Sequence, residues 1–261
     1  MGGQKYDRTA MAAFISSGIT FFLVIAHEAV RYYTGSPNMA IDWAANALMA
    51  ATSFYIRGHI DVERYRRAVL ESVPAARSLN PLRFINGMPA AMTVGLGAAI
   101  TIRYNFIAGM ILYFAMQVLL IYTFSGIVPL DVRDFKIGES RGYYRTVTLL
   151  AFMVPVAMFC EVIYNGLQSI VVVPYMLALS SMAMMTYAAL AVADRPLLFR
   201  AAPAAAATLF IASDILVGYV AFNNPVEKHY AAISMTYIIA MVLFNISILF
   251  LKNRNGEHVL S

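Results

Sequence analysis

The sequence predicts an all-α polytopic membrane protein: eight transmembrane helices in one bundle, with the N- and C-termini cytoplasmic. Three observations carry this. Of the 261 residues, 61% are hydrophobic and only 13% charged, against about 25% charged in a soluble domain, and the mean hydropathy is +0.68. The apolar residues gather into eight runs, each near the ~20 residues a helix needs to cross ~30 Å of hydrocarbon. The basic residues then sort to alternate connections. Water-soluble globular folds and intrinsically disordered chains, the latter poor in apolar residues and rich in charge, are excluded together.

The runs lie at about 10–32, 39–57, 87–103, 105–128, 146–165, 169–193, 202–222 and 230–251. The first follows Lys5 and Arg8; it is too long for a signal peptide and lacks a small-residue cleavage site, so it reads as a retained helix. Gly35-Ser-Pro-Asn38 separates it from the second. The longest connection, about 58–86, holds Asp61-Val-Glu-Arg-Tyr-Arg-Arg67, which reads as an amphipathic segment lying on the headgroups. Arg103-Tyr-Asn105 is all that divides the third run from the fourth. Asn165-Gly166 and Asn223-Asn-Pro225 mark later breaks. No linker of low complexity interrupts the chain, so residues 1–261 form a single integral membrane domain.

With the N-terminus inside, sixteen of the nineteen Lys and Arg residues fall on the cytoplasmic side; only Arg31, Arg103 and Lys228 fall outside. Positive residues are retained in the cytoplasm, and an odd number of spans would destroy the sorting. The net charge of +5 is therefore topological bias plus attraction to anionic lipid, at ~1 kcal/mol per surface cation, and not a nucleic-acid signal. Cys160 stands alone, and His27, His59, His229 and His258 share no ligand spacing, so neither a disulfide framework nor a metal or other cofactor is expected.

A charged group at membrane depth costs ~2.5–3.5 kcal/mol on insertion scales, so each one asks for a reason. Asp214, in Thr208-Leu-Phe-Ile-Ala-Ser-Asp-Ile-Leu-Val-Gly-Tyr219, is the deepest, with no basic residue within two turns of its own helix. Glu28, Asp42 and Glu161 lie near the outer ends of spans one, two and five. All four share one leaflet depth, with Arg31 and Arg103 as possible partners, and Asn46 lies a turn below Asp42 on the same face. The pattern predicts a polar pocket entered from the outer half of the bundle.

Pro174-Tyr175, Ser181-Met-Ala183, Leu209-Phe-Ile-Ala-Ser-Asp214, Phe222 and Thr236-Tyr-Ile-Ile-Ala240 resemble the YhhN family of eight-helix membrane proteins, which includes the lysoplasmalogenases. Phe106-Ile-Ala-Gly109 and Tyr122-Thr-Phe124 echo an earlier motif of that family, and the resemblance spans about residues 90–250. It departs at three polar positions. Gly95-Leu-Gly97 stands where the early motif supplies an Asp, Gln117 where the fourth helix has a His, and Met241 where the late motif closes on a Gln.

The resemblance implies hydrolysis of the vinyl-ether bond of lysoplasmalogen, a small amphiphilic lipid taken from the surrounding membrane, with no cofactor. Such a reaction needs an acid to protonate the vinyl carbon and a base or polarised water to attack the cation formed. Asp214 is the candidate acid. Glu161 is the candidate second carboxylate, with Glu28 and Asp42 as alternatives. Ser213, Tyr237, Asn245, Gln117 and Asn46 are candidates to bind or orient the substrate. Two other functions fit parts of the sequence. One is a non-catalytic protein on the same scaffold that binds or moves an amphiphile, suggested by the lost polar positions. The other is a prenyltransferase, prompted by Asp131-Val-Arg-Asp134 and Arg57-Gly-His-Ile-Asp61; a first Asp-rich motif is missing, and Asp131 and Asp134 read better as a solvated loop.

Overall fold

The computed structural model describes residues 2–72, 79–128, 140–160, 164, 170, 172–190, 192, 194–223, 227–252 and 258–260. Among them the fold is all-α: α1 (Gly2–Thr34), α2 (Met39–Gly58), α3 (Val62–Glu71), α4 (Leu82–Thr101), α5 (Phe106–Ser125), α6 (Ser140–Met158), α7 (Val173–Leu190), α8 (Leu197–Phe222) and α9 (Glu227–Ile246), which runs on into a 3₁₀ turn, Ser247–Phe250. The breaks are made by the residues the sequence singles out. Gly35 takes φ +67°, a left-handed turn that favours glycine. Asn38 then caps α2 by accepting from the Ile41 amide, and Asn105 caps α5 by accepting from the Ala108 amide at 3.0 Å.

Six helical segments among the described residues are long and apolar enough to cross a membrane: Arg8–Thr34, Leu82–Thr101, Phe106–Ser125, Val173–Leu190, Leu197–Phe222 and Tyr230–Phe250. Exposed Phe22, Ile107, Ile111 and Leu197 give them an apolar outside, as hydrocarbon requires. The chain is thus a multi-pass membrane protein. Two of the eight expected spans differ. α2 has 20 residues, the length of one crossing at ~1.5 Å per residue, but Asp42 and Asn46 lower its apolarity. α6 begins with the polar run Ser140-Arg-Gly-Tyr-Tyr-Arg145, and only Leu149–Met158 is a continuous apolar stretch; residues 161–163 and 165 of the expected 146–165 span lie outside the described residues.

Consecutive helices pack as neighbours, α1 with α2, α4 with α5, α7 with α8 and α8 with α9, while α9 returns to α1 and α2. α4 and α5 approach closely. A Cβ on Gly109 would lie 2.4 Å from the Ile102 Cα and 2.7 Å from its amide nitrogen. Backbone cannot yield there as a flexible side chain would. Gly109→Ala is expected to destabilise the protein by about 1–3 kcal/mol, seen as a lower unfolding temperature in detergent.

The end of the bundle away from the Asn38 and Asn105 caps is closed by protein. α3, capped by Asp61, buries Tyr65, Ala68 and Val69, and Tyr65 stacks on Phe84 at 6.4 Å. Burial pushes the Tyr65 phenol up. Phe84 continues the layer to Phe124 at 5.5 Å and Phe199 at 6.1 Å. This corrects the reading of Asp61–Arg67 as a segment resting on headgroups: its apolar face is taken by the bundle, and Glu63 and Arg67 face outward in an exposed pair at 3.6 Å. The C-terminal residues end here too, the Val259 carbonyl accepting from the Asp61 amide at 3.0 Å and Leu260 bridging to Ile60.

Candidate active site

At the opposite end, α1, α4 and α8 finish and α2, α5, α7 and α9 begin. Their ends surround a cavity of about 560 Å³, within the ~300–1,000 Å³ usual for small-molecule sites. The outer half of the bundle, by the charge sorting, is where the sequence places its pocket.

The cavity is built in two layers. In the deeper one, α8 presents Asp214 and α7 presents Tyr175, whose hydroxyl donates to Asp214 Oδ2 at 2.5 Å. This short, charge-assisted type of bond holds one carboxyl oxygen and leaves Oδ1 for a ligand. Tyr113 of α5 and Tyr237 of α9 meet edge to face at 5.8 Å, with their hydroxyls interacting. Both phenols line the same cavity as Asp214 and Asp42. Phe106 and Phe222, 6.1 Å apart, supply apolar wall.

The outer layer carries the charge. Arg103, just past the end of α4, donates from Nη2 to Asp42 Oδ2 at 3.1 Å. Asn46 donates to the Asp42 carbonyl at 2.9 Å and stands 3.4 Å from its Oδ1. On α1, Arg31 lies over the Tyr230 ring at 4.1 Å and 3.8 Å from Glu28. Arg31, Asp42 and Arg103 thus line the mouth, with Glu28 beside Arg31.

Asp214, Ser213, Tyr237 and Asn46 all line this one cavity, so four of the site residues expected from sequence are brought together. Ser213 also anchors the wall, donating to the Ile233 carbonyl of α9 at 3.2 Å. Gln117 is fully buried beside Tyr175, yet its amide atoms make no hydrogen bond of good geometry among the described residues. Asn245 lies elsewhere, two turns along α9 toward the closed end, donating to the Met49 carbonyl at 3.1 Å. Glu161 lies outside the described residues, as do Asp131 and Asp134. Of the two alternative second carboxylates, Asp42 lines the cavity and Glu28 stands behind Arg31. Tyr113 and Tyr175 received no role from sequence reasoning. Only the Pro174-Tyr175 motif could have pointed to the second of them.

A model of the YhhN family matches residues 84–248. The chain belongs to the YhhN family. No curated protein and no solved structure matches it. The YhhN segment runs from α4 into the 3₁₀ turn after α9 and holds Arg103, Tyr113, Tyr175, Asp214 and Tyr237. Arg31, Asp42 and Asn46 come from the two helices before it, so the mouth is completed by chain outside the matched YhhN segment. A Cβ on Gly95 would come 3.4 Å from the Tyr237 hydroxyl and 2.8 Å from the Met116 sulfur, whereas one on Gly97 would meet only Leu112 at 3.9 Å. The space beside Gly95 is filled by Tyr237 and Met116.

Proposed function

We propose that the protein is a lysoplasmalogenase-type hydrolase that cleaves the vinyl-ether bond of a single-chain lipid, with Asp214 as general acid and Asp42 as the second carboxylate. The reading rests above all on two carboxyl groups facing one cavity from opposite helices, in unlike surroundings. Asp214 sits deep among phenols, its Oδ2 held by Tyr175. Asp42 sits at the mouth, ion-paired to Arg103. Acid and base roles divide between carboxyl groups in this way when their environments differ. Membership of a family that includes lysoplasmalogenases supports the same reaction.

The steps balance without a cofactor. Asp214 gives its proton to the β-carbon of the vinyl ether, leaving an oxocarbenium ion. Asp42 takes a proton from water as the water oxygen adds to the cationic carbon. The hemiacetal then collapses: its hydroxyl proton returns to Asp214, the carbon–oxygen bond to glycerol breaks, and Asp42 protonates the departing oxygen. The products are a fatty aldehyde and the glycerophospho head, and both carboxyl groups regain their starting states. Tyr237, on the wall of the same cavity, would orient the water, and the apolar wall of Phe106 and Phe222 would receive the chain.

The membrane arrangement belongs to the same proposal. α5 and α7 both begin at the cavity, so the chain must return between them, which favours a crossing by α6. α1 ends and α2 begins at the cavity, whereas Arg57 at the far end of α2 donates to Asn86 near the start of α4 at 2.7 Å, which favours a crossing by α2. Eight crossings in one domain follow, with both termini at the closed, Lys/Arg-rich cytoplasmic end and the cavity opening on the other face. Purified protein with lysoplasmalogen and no added metal is expected to release fatty aldehyde, and to leave the saturated alkyl-ether analogue intact. Absence of aldehyde from several vinyl-ether lysolipids would favour amphiphile binding or transport instead.

A further inference from the structure

Toward the closed end, the bundle holds a second and much smaller space that the proposed chemistry does not use. Ser53 of α2, Ile85 and Pro89 of α4, and Asn245 of α9 are among its lining residues, with Arg57. It measures about 10 Å³, close to the ~10–15 Å³ at which a cavity first admits one water. Three polar groups around it are released from ordinary bonding. The Asn245 amide is fixed in orientation, because Nδ2 donates to the Met49 carbonyl at 3.1 Å. Its Oδ1 is then buried with no hydrogen bond among the described residues. The Ile85 carbonyl lacks its usual intrahelical donor, since Pro89, four residues on in the same helix, has no N–H. Ser53 is buried, and the carbonyl to which its hydroxyl would turn back is that of Met49. That oxygen already serves the Ser53 amide within the helix and Asn245, which together take its two lone pairs. Thr52, one residue earlier, does find its own such carbonyl, on Leu48 at 2.7 Å.

We infer that this space is a binding site for one water molecule that ties α2, α4 and α9 together, donating to Asn245 Oδ1 and the Ile85 carbonyl and accepting from the Ser53 hydroxyl. Three hydrogen bonds are the usual complement of a buried water. A buried acceptor without a donor is costly, and hydrocarbon around the bundle supplies none. A metal ion fits the space poorly. A divalent cation takes about six oxygens or more, no carboxylate lines the space, and Arg57 brings its own positive charge there. The same three helices carry Asp42, Arg103 and Tyr237 to the large cavity at their other ends, so the water braces the frame that positions the candidate site. The inference does not depend on the hydrolase reading.

Water-edited solid-state NMR of the protein in bilayers, labelled with ¹⁵N-asparagine, tests the site. The Asn245 side-chain amide, identified by its loss in Asn245→Thr, is expected to draw magnetisation from water although Asn245 is only 2% exposed. Ser53→Val removes the donor and fills the space with a methyl group. The transfer should then be lost while the other asparagine signals stay in place, which shows that the variant is folded. Should Ser53→Val not fold, Ser53→Thr adds the methyl group but keeps the hydroxyl, and should lose the transfer as well. Ser53→Ala leaves the room and two partners, and should keep most of the transfer. Replacing the sodium and potassium of the buffer by choline should leave the Asn245 signal where it is. No transfer to Asn245 in the wild type would make the space dry and overturn the site. So would undiminished transfer in the folded valine or threonine variant. A signal that moves when sodium is withdrawn would give the space to a monovalent cation and overturn it too.

Discussion

Asp214→Asn is expected to reduce kcat for vinyl-ether hydrolysis by about 10²–10⁴-fold, the usual worth of a positioned general acid. The replacement is isosteric and keeps an oxygen to accept from the Tyr175 hydroxyl, so the cavity retains its shape. What disappears is an acidic proton on the free oxygen of the carboxyl, the one that must move to carbon. Because the lipid is held by the apolar wall and the mouth, KM should change by less than about threefold, the signature of an interaction made mainly in the transition state. Steady-state aldehyde release, beside the unfolding temperature of the same preparation, separates this from a folding defect. A variant with near wild-type kcat would remove Asp214 from the chemistry.

Asp42→Ala should be nearly as severe, about 10²–10³-fold in kcat, for a different reason. It takes away the base that accepts the proton of the attacking water, and it also frees Arg103 from its partner at 3.1 Å. A purely structural loss and a catalytic one are told apart by rescue. Formate, a small carboxylate that fits the space vacated by the side chain, should recover part of the rate in Asp42→Ala and none in Asp214→Asn. A failure of formate to raise the rate while the variant remains folded would point to a structural pairing between Asp42 and Arg103 and return the search for a base to Glu161.

Much of the architecture was legible because it follows from solvent chemistry. Apolar runs set the helices, and Asn38, Gly35 and Asn105 ended or capped them through local bonding that any reader of the sequence can foresee. Asp214 was legible because a carboxylate amid Phe210, Ile211, Ile215 and Leu216 has no reason to be there unless it meets a polar neighbour. The spacing of Asp42 and Asn46 on one helix face likewise carried over into the cavity wall.

What could not be read depends on which faces meet. Sixteen tyrosines in a membrane chain look alike in sequence, so Tyr175 and Tyr113 became distinct only when α7 and α5 were packed against α8 and α9. Asn245 shares its helix with Tyr237, but two turns of translation carry it to α2 and the Met49 carbonyl instead of the cavity. The segment Asp61–Arg67 has the pattern of a surface helix; the aromatic layer at Phe84 turns that same apolar face inward. For α2, the polar residues that lower its apolarity are the ones that line the cavity, so the weakness of that span and the placing of the site have one cause.

The hydrolase reading is tested most directly by following isotopes from solvent into products. Turnover of lysoplasmalogen in D₂O, with the aldehyde reduced as it forms, is expected to place one deuterium on carbon 2 of the fatty alcohol recovered, the carbon that Asp214 protonates. In H₂¹⁸O the label should enter the fatty product, and the glyceryl oxygen should keep its original isotope. Deuterium absent from carbon 2, label appearing in the glycerophospho head, or no aldehyde from the folded wild-type protein would each contradict it.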